Sequence, residues 1–537
     1  MPMRARSARP WLAMLALLLA CGLSPSAASA QGKLLKRGNG PDVETLDPHK
    51  VRSVSAGNVV RDLFEGLVSE AADGRLIPGV AASWQISDDG RIYVFSLRAD
   101  ARWSNGEALT AADFVYAFRR SLSPATASPS AALLAPIRGA EALMAGKGSA
   151  EHLGVSALDD RTLQIELERP TPYFPGLLAN SVAYPVHRAS LERERAQFTR
   201  AGKLVSNGAY VLDEWALQSH VRLKRNAQYW NAPAVAIDTV LHLVTEDLNA
   251  EFQRFRAGEL HITEQVPAQQ IAAMPPVLKR QLRIADYLGS YYYGFNLTRP
   301  PFQDQPGLRK ALSLAIDRQI IVDKLMGSGE KPAYGWLPPG IDAASSQRPE
   351  WASWSRERRV SEARRLYAAA GYGPQRPLAV QIRYNTHDYH QKIATVIAAM
   401  WKQTLGVQAT LYNEETKVFL QSRRERRYTQ VFRASWVADY ADASSFLDLL
   451  LSNNPRNDTG YANARYDALL AQAANSSGAP RGELLAQAER SMLDDTPVIP
   501  IYFYVTKHLV APTVRGWQDN ALDHHYTRDL DLAPASP

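Results

Sequence analysis

The stretch Asp88-Asp89-Gly90-Arg91-Ile92-Tyr93-Val94-Phe95-Ser96-Leu97-Arg98 sets Tyr93, Phe95 and Leu97 in alternation with Val94, Ser96 and Arg98. Side chains two apart share one face of a strand, so this reads as a half-buried strand entered through the hairpin-type turn Asp88-Asp89-Gly90. Outward from it the period changes. Ser361 stands where it would cap a helix whose apolar side includes Leu366 and Ala370 and which stops at Gly371. A second helix is expected over 308–326, with Leu312, Ala315, Ile316 and Ile320 on one face. Strands are expected at 211–212 paired with 221–223, and at 240–244, 378–384 and 500–505. Strand-like and helix-like segments alternate irregularly without an internal repeat, which is the pattern of a mixed α/β protein.

The chain has 537 residues, 46% of them hydrophobic. A length beyond the reach of one core, about 250 to 300 residues, implies more than one lobe. Residues 1–30 are of another kind: Arg4, Arg6 and Arg9 precede the apolar run Trp11 to Ala20, and Ala28-Ser29-Ala30 follows Pro25. This reads as a secretory signal peptide, too short for a span of about 20 apolar residues. The one cysteine, Cys21, follows Leu18-Leu19-Ala20, so a lipoprotein cleavage before Cys21 competes with cleavage after Ala30. The small residues at 28 and 30 favour the latter. Either way no disulfide forms within the chain, and the expected location is the periplasm. The formal charge of +7 falls to +4 without the three leader arginines. The basic runs 356–359 and 423–427 are interrupted by Glu357 and Glu425, the look of solvated faces rather than of a nucleic-acid footprint.

Common catalytic signatures are absent: no cysteine nucleophile in the mature chain, no G-x-S-x-G elbow and no phosphate loop. A secreted hydrolase or peptidase is therefore the lesser alternative, and the chain is read as a non-enzyme. His387 and His390 stand one helical turn apart, and His524 and His525 are adjacent, but zinc sites require three or four ligands; no metal and no cofactor are expected. More informative is Arg433-Ala434-Ser435-Trp436-Val437-Ala438-Asp439-Tyr440. An acid that anchors an ammonium, a base that anchors a carboxylate and an aromatic wall are the groups a zwitterionic ligand requires. On the residues alone, a loop with a surface salt bridge explains the stretch as well.

Colinear motifs decide between them. Thr45-Leu46-Asp47-Pro48-His49-Lys50, Asp62-Leu63-Phe64-Glu65-Gly66-Leu67, Trp103-Ser104-Asn105-Gly106, Asn207-Gly208-Ala209-Tyr210, Arg225-Asn226-Ala227-Gln228-Tyr229-Trp230, Tyr384-Asn385-Thr386 and Trp436-Val437-Ala438-Asp439-Tyr440 follow one another in the chain. In this the sequence resembles the peptide-binding proteins of ABC importers, solute-binding protein family 5 of the peptide/nickel type, and most closely their oligopeptide-binding members. The resemblance implies an α/β, two-lobe clamp of the type II periplasmic-binding-protein kind, in a three-domain form with mixed sheets. It implies domains at 31–64 with 189–288 and 506–537 (lobe 1), at 65–188 (an additional domain on lobe 1) and at 289–505 (lobe 2). It implies a monomer that captures short peptides and delivers them to a membrane permease and its ATPase; a receptor for murein tripeptide is the alternative within the class.

Carried over by position, the resemblance puts Asp439 on the peptide ammonium, with Trp436 and Val437 alongside the peptide and the backbone around Val54 on its other flank. Arg433, His390 and Arg423 become candidates for the peptide carboxylate, Tyr292 an aromatic at the domain crossover, and Asn385 a neighbour. Departures from the family pattern are Gly289 and Val437 in place of two cysteines, Ser130 and Thr416 in place of pocket aromatics, Arg52 and Gly294 in place of glutamates, and Met326 in place of a lysine. If the last three share one pocket, they make it more positive and favour peptides with acidic side chains.

Overall fold

Leu34–Gly38 (β1) pairs in parallel with Thr239–Leu243, from Leu34 opposite Thr239 to Gly38 opposite Leu243. This first strand of the described residues is thus closed against a segment far along the chain. This architecture comes from a computed structural model, which describes Met1 and residues 32–533 apart from 342–346 and 428–429. The leader, with Cys21, lies outside the described residues except for Met1. Among the described residues no helix is long and apolar enough to cross a membrane.

A four-stranded antiparallel sheet follows, made of Ala81–Ile86 (β2), Ile92–Leu97 (β3), Val155–Asp159 (β4) and Thr162–Glu166 (β5) in the order β2-β3-β5-β4. The alternation read in β3 is realised: Tyr93, Phe95 and Leu97 are buried, while Val94 and Ser96 are more exposed. Gly90 closes the preceding turn with positive φ, its N–H donating to Ser87 O at 2.8 Å. The helix Ala111–Leu122 belongs to the same core and is fixed by a capping box between Thr110 and Asp113.

Tyr210–Ala216 (β6), His220–Arg225 (β7) and Thr239–Leu243 (β8) complete the first sheet in the order β1-β8-β7-β6. The expected pairing of 211–212 with 221–223 is present, with Leu212 opposite Leu223. Distant segments are pinned here by buried charge. Asp62 accepts from Thr527 N (2.9 Å), Thr527 Oγ1 (2.6 Å) and His242 Nε2 (3.2 Å), and Arg37 donates to His525 O at 2.9 Å.

Leu282–Phe295 (β9), Ala379–Asn385 (β10), Gln408–Glu414 (β11), Val431–Val437 (β12) and Val498–Leu509 (β13) form the third, mixed sheet, with the short strand Lys331–Pro332 at one edge: Lys331–Pro332, β13, β9, β12, β10, β11. Its helices correct two expectations. The helix at 356–369 starts ahead of Ser361, because Ser355 Oγ already takes the Arg358 N–H at 3.3 Å; Ser361 lies inside Arg356–Ala369. The helix expected over 308–326 is broken after Leu314. Asp317 caps a new turn through Ile320 N, and the buried Arg318 guanidinium donates to Ser313 O (3.0 Å) and Pro500 O (2.7 Å), so the freed carbonyls stay paired.

β9 and β13 are the two long strands, 14 and 12 residues, antiparallel from Leu282 opposite Leu509 to Gly294 opposite Val498, with a register shift between Asp286 and Ser290. Beyond Leu509, Val510 bridges Ile262, which in turn bridges Arg37 of β1. This strand pair therefore ties the first sheet to the third. Beside it His508 is buried as an imidazolium: Nε2 donates to Asp523 Oδ1 at 2.9 Å and Nδ1 to Thr263 O at 3.0 Å. Burial alone lowers its pKa, but the Asp523 carboxylate outweighs it and holds His508 at about 9. His525 also bonds Asp523 Oδ1 at 2.9 Å, and burial lowers it to about 4. A raised histidine contributes stability that is complete below its unfolded pKa and lost as pH rises through the folded one. Unfolding free energy should therefore fall between pH 6.5 and 9, by on the order of 3 kcal/mol. In denaturant titrations across that range His508→Gln should flatten the alkaline fall; an equally steep fall in the variant would contradict this assignment.

Candidate functional site

β12 carries the stretch singled out in the sequence, and its pairing is lopsided. On one side it is antiparallel to β9 from Gly289 opposite Val437 to Phe295 opposite Val431. On the other, β10 pairs only with Val431 and Phe432. The Ala438 N–H donates to Leu288 O at 2.8 Å, which fixes the phase of the ladder: Ala434 and Trp436 turn their backbone groups to β9, and Ser435 and Val437 turn theirs the opposite way. No described strand continues the ladder there. The sheet thus presents a short free edge, with Val437 exposed and Ser435 partly so.

The edge runs directly into Asp439. Its carboxylate is half exposed, with Arg456 at 4.0 Å as the nearest cation, and burial raises its pKa against the pull of Arg456. Arg456 also lies over the Trp436 ring, 5.3 Å from its centroid. Asp439, Trp436 and Arg456 line a cleft of 610 Å³ whose opposite wall includes Ser130 and Tyr173. Tyr173 stacks on Tyr440 at 5.0 Å, so a segment of the second sheet's body faces the end of β12.

The other expected residues sort by face. Arg433 lies over Tyr291 (4.8 Å to the ring centroid), within 3.4 Å of Asn385 Oδ1 and of the Tyr504 hydroxyl. Burial works against its charge, but the Tyr291 and Tyr504 hydroxyls outweigh it and raise its pKa. His390 Nδ1 is 3.3 Å from the Tyr291 hydroxyl; burial, then Arg433 and His387, push it down to about 3, so it stands neutral. Arg433, His390 and Asn385 thus make one polar group. Tyr292 and Arg423 belong with Phe432 on the opposite face of β12: Tyr292 packs edge-on against Trp336 and burial raises it to about 12, while Arg423 pairs with Asp458 at 2.7 Å. Thr416 is exposed at the start of the helix Thr416–Glu425.

Val54, 57% exposed, opens the helix Val54–Leu63, and Arg52 is exposed beside it with its N–H on Glu44; neither lines the 610 Å³ cleft. The three substitutions expected to charge one pocket do not meet in that cleft. Gly294 is in the strand core, where a Cβ would come within 2.3 Å of the Phe432 ring, and Met326 packs against the core around Tyr291. A summed pocket charge therefore has no common space there.

His387 and His390 have ring centroids 4.8 Å apart, but among the described residues no third histidine, cysteine or carboxylate joins them. His508, Asp523 and His525 do converge within 4.8 Å; there the His508 imidazolium already supplies the positive charge. His524 and His525 lie in a loop, with His524 on Glu70 at 2.7 Å. The residues that sequence reasoning missed, Tyr173 and Arg456, come from other segments, and no local motif links them to Asp439.

Residues 75–458 match the bacterial extracellular solute-binding proteins, family 5. The chain belongs to this family. It is similar to the periplasmic oligopeptide-binding protein OppA of Escherichia coli K12, 39% identical over 517 residues and 95% of each chain. Among solved structures it resembles the unliganded open form of the murein tripeptide-binding protein MppA (TM-score 0.84, 37% identity, covering 94% of this chain and 98% of that one). It also resembles Haemophilus influenzae OppA in complex with the peptide RPPGFSPFR (TM-score 0.76, 35% identity, 94% and 99%). The chain is thus a two-lobe α/β solute-binding protein, a class whose relatives bind rather than transform their ligands.

The free edge has a direct signature in amide hydrogen exchange of the unliganded protein. The Ser435 and Val437 amides should exchange at least tenfold faster than those of Trp436 and Ala438, since only the latter two donate within the sheet. Equal protection of all four would show that something else covers the edge.

Proposed function

We propose that this protein is a periplasmic receptor that takes up short peptides as an added strand on β12, with the peptide ammonium on Asp439, and hands them to the permease of an ABC importer. One observation carries the reading: an unpaired strand edge at Ser435 and Val437 leads directly into the Asp439 carboxylate, whose nearest cation, Arg456, stands off at 4.0 Å. Backbone pairing gives affinity independent of peptide sequence, and the carboxylate sets which end of the peptide docks there. Trp436 and Val437 flank the bound chain in this reading. The group Arg433, His390 and Asn385 offers a cation to the carboxylate end, and Arg423, Tyr292 and Thr416 belong to the surroundings of lobe 2. Val54 and Arg52 approach from lobe 1 and Ser130 from the additional domain when the lobes close.

The domain division that supports this reading is 31–64 with 189–288 and 506–537, then 65–188, then 289–505, with β9 and β13 as the crossings. Closure follows because a ligand touching both lobes binds the closed state better than the open one. The likeness to an unliganded open form of MppA supports an open arrangement here. A murein tripeptide is a second reading, supported by that same similarity to MppA; it too presents an ammonium. Export through the leader at 1–30, action as a monomer and the absence of catalysis belong to the same proposal.

Calorimetry with Ala-Ala-Ala tests it. Asp439→Asn, and separately N-acetylation of the peptide, should each weaken binding by about a hundredfold or more, the range for removing one partner of a buried charged pair. Wild-type affinity in either case would remove Asp439 from the ammonium.

A further inference from the structure

The cleft beside Asp439 does not end there. A second compartment of 430 Å³ adjoins it, and Asp448, Ser444, Leu451, Asn453, Arg169 and Tyr173 line both. The second compartment has an aliphatic side, Leu470, Ala473, Ala474 and Leu485 among it, and a polar one that includes Asp467 and Arg481. Asp448 stands at the junction. Its carboxylate is partly buried, faces both compartments, and makes no hydrogen bond or ion pair with the described residues. Two cations share the second compartment with it: Arg481 forms a two-pronged pair with Asp442, at 2.7 and 2.9 Å, and Arg169 is exposed and makes no ion pair with it. Around the larger cleft four carboxylates, Glu141, Glu168, Asp439 and Asp448, outnumber two guanidiniums, Arg169 and Arg456.

A carboxylate without an ion-pair partner in the cleft that holds Asp439, at the mouth of a compartment with an aliphatic side, matches a long apolar stem that carries a cation. We propose that Asp448 is a specificity-determining residue, receiving the cationic side chain of a lysine-, ornithine- or arginine-type residue at the amino end of the ligand. The inference rests on the peptide reading above. It reverses the preference for acidic side chains that the substitutions at 52, 294 and 326 suggest from sequence. Burial first, then Asp442, holds the Asp448 carboxyl up at about 7, against Arg169 and Arg481. A cationic ligand group therefore meets an ionised partner above neutrality and a largely protonated one at pH 5. The other charged and titratable groups around the two compartments are Asp439, Glu141, Glu168, Asp467, Arg169, Arg456, Arg481, Tyr173 and Tyr440. Burial raises Asp439 as well, and pushes both tyrosines further above their ordinary values. Comparison with a norleucine peptide, which meets the same groups, therefore isolates the side-chain charge.

The test is calorimetry of the full chain with Ala-Ala-Ala, Lys-Ala-Ala and norleucine-Ala-Ala, the last matching lysine in stem length without its charge. At pH 8 the lysine peptide should bind about tenfold more tightly than the norleucine peptide, the scale of one charge-assisted hydrogen bond. That ratio should approach one at pH 5 and in Asp448→Asn, while Ala-Ala-Ala binds Asp448→Asn as it binds the wild type. Equal affinity of the wild type for the lysine and norleucine peptides at pH 8 overturns the proposal, and needs no variant to fold. Uniform weakening of all three peptides in Asp448→Asn also overturns it, by making Asp448 a lobe-closing partner of Arg169. Failure of all three to bind the wild type overturns the peptide reading itself, an outcome distinct from binding without preference.

Discussion

A backbone amide or carbonyl removed from water must find a partner, and β12 reaches the end of its sheet with one side of its ladder unfilled beyond Phe432. The remainder of the molecule can be understood as what holds that edge in place. β9 fixes its other side and its phase, and Trp336 seals the sheet from below, its Nε1 donating to Phe446 O at 3.1 Å. β13 ties the assembly to the first sheet through the bridge from Val510 to Ile262. A ligand strand that completes the ladder pairs groups that only water satisfies in the free protein.

Charge is arranged around this edge so that its two ends differ. Asp439 stands at one end with Arg456 no nearer than 4.0 Å, and Arg433 stands farther back along the strand over Tyr291. Burial raises the Asp439 carboxyl and works against the Arg433 guanidinium, and in the proposed function a zwitterion along the edge is what supplies each with an opposite charge. Structural charges elsewhere are treated differently. Asp62 is enclosed with Thr527 and His242, and Asp442 with Arg481; those groups hold segments together and leave nothing for a ligand. Asp448, a few residues beyond Asp442, resembles Asp439 in having no such partner.

Local signals in the sequence predict local structure well. The alternation at Tyr93, Phe95 and Leu97 and the pairing of Leu212 with Leu223 appear as expected. Helix starts were less legible where two capping residues compete, as Ser355 and Ser361 do. The break after Leu314 was invisible because it depends on Arg318 reaching Pro500, a residue distant in sequence. Within the site, the eight residues from Arg433 to Tyr440 stood out because an acid, a base and aromatics are close in sequence. Tyr173 and Arg456 did not, since their meeting with Tyr440 and Asp439 is made only by the tertiary fold. Nor does the sequence show where the substitutions at 52, 294 and 326 stand in space: Phe432 packs over Gly294, while Arg52 is exposed on another segment.

Mass spectrometry of what the purified protein releases when it is denatured tests the central claim most directly. The account predicts intact short peptides with free amino termini, of mixed sequence and close to one per protein molecule. Release of a non-peptide ligand, of amino-terminally blocked peptides, or of cleaved products from an added intact peptide in excess of one per protein would contradict it.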